Sequence, residues 1–250
     1  MIQVKNTPNY AGVAINGDFY DFEALYESFH TIVGEEWEWE EYEGVRLRVL
    51  GICYDIRHAL MGHREVAFVE NGLDEYKMKQ LSVIANDKNI YLTFNVLWPE
   101  ALFVLMALND FIKVYARKQA KDKYYALIDY RNIWDPSIAM VRSFQAAIAN
   151  CMKETIPETS INRVFKLMYH DYSWADNYAT QYLDELNCRF IEMEAEKRIK
   201  NITIMAKRIA EKGREYQAVN EAVLKAAREY NCHMTEIRMS SPGYPEFIEW

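Results

Sequence analysis

The chain has 250 residues, half of them hydrophobic, with a net charge of −8 and only nine glycines and six prolines. That is enough apolar mass for a sizeable core, and too little glycine and proline for an all-β architecture or a disordered chain. The acidic balance opposes non-specific nucleic-acid binding.

The elements follow in chain order. Residues 2–5 and 12–15 read as short strands around a turn. Asp18 is placed to cap a helix running to about residue 33, striped by Phe22, Leu25, Tyr26, Phe29 and Ile32, with Gly34 as its stop. EEWEWEEYEG follows, a loop with six glutamates in ten residues. A helix over 45–61 then carries Val45, Val49, Ile52, Ile56 and Leu60 on one side. Residues 65–69 alternate as a strand that Glu70-Asn71-Gly72 turns. A turn and then a strand near 80–84 are expected next, with Asn86-Asp87-Lys88-Asn89 as a hairpin connection.

Residues 90–112, IYLTFNVLWPEALFVLMALNDFI, hold only Glu100 and Asp110 as charges. A membrane span needs about 20 unbroken apolar residues, and Pro99-Glu100 divides this run. Before the break, Ile90, Leu92, Phe94 and Val96 alternate with polar neighbours, the pattern of a half-buried strand. Behind it, Pro99 suits the first helical position and Glu100 the positive end of the helix dipole. A helix to about residue 118, apolar on nearly all sides in its first half, belongs in the core of a protein that does not cross a membrane.

The remainder reads as helical. Asp135-Pro136 starts a helix to about residue 154, and Ser160 another. From Ala175 the pattern stays helical to about 212, with a phase slip between Met193 and Ile199. A last helix over 214–230 precedes an irregular arm whose Tyr244, Phe247, Ile248 and Trp250 are expected to dock. The fold class is therefore α+β: a mixed layer with short antiparallel strands over 1–130 and a helical region over 131–250, expected as one globular unit.

Candidate chemistry is thin. His58 and His63 flank Gly62, five residues apart, off the i, i+4 spacing that two helical ligands need. The glycine can let His63 fold back, and Asp55 stands one turn before His58, where it can orient the ring. His170-Asp171 sits among Tyr169, Tyr172, Trp174 and Tyr178, as a pocket or as packed aromatics. Trp37, Trp39 and Tyr42 alternate with glutamates, either to meet a basic partner or tucked back on the core. The cations of 197–214 interleave with glutamates, as on a solvated helix with i, i+4 pairs. No GxGxxG, P-loop, GxSxG, HExxH or CxxC pattern occurs, so neither a cofactor nor a metal is expected. The four separate cysteines and the lack of an apolar leader after Met1 suggest reduced thiols in the cytoplasm.

The segments TPNYAGVAINGDFYDFEALYESFH, REVAFVENG and FNVLWPEALFVLMALNDFI resemble an uncharacterised family from low-GC Gram-positive bacteria. The resemblance implies a bacterial, cytoplasmic protein with the strand–Pro–helix block as a recurring element, and carries no functional residue.

Three readings follow. In the first, the chain is a self-associating interaction or regulatory module, without catalytic activity, that pairs through the apolar stripes after Ala175. In the second it is a hydrolase or nuclease in which Asp55, His58, His63, His170 or Asp171 act with other carboxylates. In the third it is a nucleic-acid-associated regulator using the 197–214 face.

Overall fold

The computed structural model describes residues 1–170, 173–239, 243–245 and 247–250. The fold is α+β. In chain order the elements are β1 (Gln3–Asn6), β2 (Gly12–Gly17), α1 (Phe19–Val33), α2 (Glu43–Leu60), β3 (Glu65–Glu70), α3 (Glu75–Leu81), β4 (Lys88–Leu97), α4 (Trp98–Gln119), α5 (Tyr130–Ile133), α6 (Pro136–Thr155), α7 (Glu158–Met168), α8 (Gln181–Ile191), α9 (Ala195–Glu211) and α10 (Arg214–Tyr230).

The four strands form one antiparallel sheet in the order β1-β2-β4-β3. Val13 opposes Val96 and Ile15 opposes Phe94, and this face meets the helices. Gly12 is where β2 and β4 press closest, since a Cβ there would stand 1.9 Å from the Val96 carbonyl oxygen. On the other face Thr93 Oγ1 donates to Asn16 Oδ1 at 2.7 Å. Asp18 caps α1 as expected: Asp21 N–H donates to Asp18 Oδ1 at 2.8 Å and Asp18 N–H to Asp21 Oδ2 at 3.2 Å.

The strand–Pro–helix block lies at the centre of the molecule. Trp98 N–H donates to Ala11 O at 3.1 Å, tying the junction to the β1–β2 turn. Its indole N–H reaches Asn6 Oδ1 at 3.2 Å. From Ala101 to Leu108 every residue of α4 is buried, on all sides of the helix. One continuous apolar cluster joins α1, α2, α4, α6 and α7 to α8, α9 and α10. Among the described residues, no helix is long and apolar enough to cross a membrane.

The terminal arm docks only in part, with Ile248 and Trp250 packed against Ala11, Leu97 and Ile191 while Phe247 stays exposed. Two further expected elements differ. Residues 80–84 are no strand: Asp74 caps the short helix α3, its side chain accepting from Lys77 N–H at 2.8 Å, and Ser82 ends it in the left-handed region. The long helix from Ala175 is two helices. Asp110 Oδ2 accepts from Trp174 N–H at 2.6 Å and Ala175 N–H at 2.7 Å, and Asn177 N–H donates to Glu41 O at 2.8 Å. These tertiary bonds claim the backbone, so α8 begins only at Gln181. The phase slip is a break at residues 192–194. There buried Arg198 of α9 donates to Ile191 O at 2.7 Å, satisfying a carbonyl at the end of α8.

Candidate functional site

The histidines form no single centre. Gly62, at φ 76°, folds the chain back as the sequence allows, and the His58 and His63 rings come to 5.8 Å. Asp55 does not orient His58. It binds Arg64, with Nη2 to Oδ1 at 2.7 Å, while His58 Nδ1 meets Tyr54 O at 2.8 Å. His170 belongs to a different cluster, stacked on Trp174 at 5.6 Å and 14°. Asp171 lies outside the described residues. Among the described residues no group of three or more His, Cys, Asp or Glu can hold a metal ion.

Tyr172 lies outside the described residues, and the described members of the aromatic clusters named from sequence are largely packing. Trp39 and Tyr42 turn back onto Phe111, at 6.3 and 5.7 Å. Trp174, Tyr178 and Tyr216 surround the ammonium of Lys212, which lies 5.2 Å from the Tyr178 ring centre and donates to Trp174 O at 2.6 Å. In the 197–214 stretch Lys197 pairs with Glu194, Lys207 with Glu211 and Arg208 with Glu215.

A partly buried polar seam was not visible in the sequence. Arg48 of α2 lies between Glu100, at the start of α4, and Asp184 of α8, at 3.7 and 2.5 Å. Asn187 Nδ2 donates to Glu100 Oε2 at 2.8 Å and to the Tyr244 hydroxyl at 3.1 Å. Burial pushes the Glu100 carboxyl up, and Arg48 and Asn187 pull it back only in part. For Arg48 burial works downward, yet Glu100 and Asp184 together carry the guanidinium above its ordinary value. A cavity of ≈ 490 Å³ borders the seam, lined in part by Arg48, Asp184, Arg238 and Tyr244. Asn187 Oδ1 is buried and has no hydrogen-bond partner among the described residues, while the other groups hold one another. The first consequence of the seam is structural, since it joins α2, α4, α8 and the C-terminal segment.

The β3–β4 arm faces outward, uncovered among the described residues. β4 pairs with β2 only from Leu92 onward, and its first four residues meet β3 alone. The inner face of the sheet is covered at Phe94 and Val96, which are 3% and 5% exposed. The same face continues along the arm as Ile90, Phe68 and Val66, at 59%, 69% and 49%. Among the described residues no helix covers that continuation, and α3, which closes the arm, buries none of its residues. The two sheet edges also differ. α6 packs along β1, where Asn6 Nδ2 donates to Thr155 Oγ1 at 2.6 Å. β3 is the outermost strand, and among the described residues its only backbone ladder is the one with β4. An uncovered edge beside an exposed apolar face is the geometry that accepts a further strand.

Another apolar surface, over 124–134, exposes Tyr124, Tyr125, Ile128, Tyr130, Ile133 and Trp134. Its backbone is closed by its own turns, and buried Asn132 anchors it through Ala116 O at 2.9 Å and Ala126 O at 2.7 Å. It presents side chains but no strand edge.

An α+β domain with an open sheet edge, and no assembled catalytic group among its described histidines, is the class that fold and surface define. The chain belongs to the family described as a domain of unknown function, DUF6904, whose model matches residues 2–250. No curated protein and no solved structure matches it.

Proposed function

We propose that this chain is a protein-interaction module that takes up an extended polypeptide on the outer edge of β3 and the apolar face beside it. One observation carries the reading: the apolar face of the sheet outruns its helical cover at a strand that has a free edge. Monomeric proteins blunt such edges with charge, proline or a covering element. Here Val66 and Phe68 stand exposed in the middle of the strand, and charge is confined to its ends at Glu65 and Glu70. The interaction surface thus moves from the helices after Ala175, whose stripes are buried within the chain, to the arm.

A bacterial, cytoplasmic setting belongs to the same proposal; four cysteines that are all free thiols support its cytoplasmic part. The histidine-based hydrolase draws less support, because Asp55 is engaged by Arg64. A nucleic-acid regulator draws less too, because three cations of the 197–214 stretch are paired within the chain.

A photo-crosslinking residue in place of Phe68, compared with one in place of Tyr230 on α10, tests the proposal in intact cells. Both positions are well exposed. The expected result is capture of a polypeptide from Phe68 and not from Tyr230. Equal yields at the two positions would contradict it.

A further inference from the structure

Resting on the reading of the arm as an interaction surface, we propose that its occupant is a second copy of this chain. The two β3 strands pair antiparallel about a two-fold axis through Ala67.

Antiparallel pairing of one strand with its own copy has its axis perpendicular to the sheet. Such an axis keeps every side chain on its original face. Opposed residues must then share a face, which places the axis at a residue and never between two residues. Few registers keep most of Glu65–Glu70 paired. Centred on Val66, the strand sets Arg64 against Phe68. Centred on Phe68, it sets Val66 against Glu70. Centred on Ala67, it sets Val66 against Phe68 and Arg64 against Glu70, and the symmetry repeats both pairs.

That register puts apolar pairs at the middle, on the face that carries Ile90, and brings Glu70 opposite Arg64, the residue just before the strand, at both ends. On the reverse face the small side chain of Ala67 meets its own copy, and Glu65 lies beside Val69 at the solvent edge. Arg64 is already held in place by Asp55, which lowers the cost of ordering it. The alternative edge, the first four residues of β4, opens on Lys88, a charge that discourages pairing. The assembly joins two four-stranded sheets into one continuous sheet across the axis.

Sedimentation velocity from micromolar to submillimolar concentration tests the pairing on the full chain. Wild type is expected to form a dimer and Phe68→Asp to abolish it. Arg64→Glu and Glu70→Arg each create two like-charge contacts across the axis, and each is expected to weaken the dimer roughly tenfold or more. An equimolar mixture of these two single variants is expected to restore assembly, because each copy then supplies the charge that the other lacks. A variant that had merely misfolded gains nothing from mixing, so restoration separates pairing from a folding defect.

A wild type that stays monomeric throughout overturns the proposal. So does a mixture no tighter than its components. A dimer lost with Phe68→Asp but indifferent to charge reversal also overturns it, while leaving the arm as a docking surface. A dimer indifferent to Phe68→Asp removes both the pairing and the reading beneath it.

Discussion

The helices α8, α9 and α10 and the β3–β4 arm invert what their sequences suggest. The helices carry marked apolar stripes on otherwise charged segments, and so look built for a partner. Their stripe residues Leu183, Leu186, Phe190, Ile202, Met205, Ile209 and Val223 are all buried against the chain itself. The arm has only the modest alternation of an ordinary strand, and its apolar residues face water. A periodic stripe states that a face is buried, but not whether the covering element is in the same chain. What distinguishes the arm is topological. It extends beyond β2, and the helices that cover the rest of the sheet do not follow it.

If this contrast holds, substitutions in the helical half change stability, and substitutions in the arm change assembly. The largest effect is expected at Leu186, which is fully buried. Leu186→Ala should cost about 2–5 kcal/mol in chemical denaturation, through lost contacts and the cavity left behind. Next comes Asp110→Ala, which strands the Trp174 and Ala175 N–H groups that now donate to it. An unsatisfied buried donor costs about 1–3 kcal/mol, so a loss of similar size to the first is expected, with the 173–180 segment loosening before the rest in limited proteolysis.

A smaller effect, with a definite sign, is expected at Glu100. Its carboxyl is raised chiefly by burial. The folded chain therefore holds that proton more tightly than the unfolded chain, and stability falls as pH rises through the interval above the ordinary value of 4.5. Glu100→Gln should gain on wild type in denaturant midpoint from acid to neutral pH. A variant that loses ground instead would mean that the contact with Arg48 outweighs the burial. Smallest of all, Phe68→Ser should leave stability within about 0.5 kcal/mol of wild type, as for a surface site, while weakening assembly. A large loss of stability there would make the arm part of the core and break the contrast.

Much of the fold was legible where local chemistry and tertiary structure agree. Asp18, the alternation before Leu97, Pro99 and Asp135-Pro136 each act within a few residues, and each sits where its pattern places it. The short helix α3 was missed because seven residues hold too few turns to show a period, although Asp74 was a readable cap. The start of α8 was misplaced because Asp110, sixty-four residues before Trp174, fixes that backbone. The seam of Arg48, Glu100, Asp184, Asn187 and Tyr244 had no local signal, since its members come from four distant parts of the chain. Exposure of the arm was hidden for a related reason. Val66, Phe68 and Ile90 follow the same alternation as Phe94 and Val96, and only the reach of the covering helices separates them.

Hydrogen exchange read by mass spectrometry at high and low protein concentration tests the central claim most directly, because it compares the two regions in one sample. The expected result is that amides of Glu65–Glu70 are slow at high concentration and become fast on dilution, while those of α8, α9 and α10 do not change. Concentration-independent exchange in the arm, together with protection of the helices that fades on dilution, would contradict it and return the interface to the helical half.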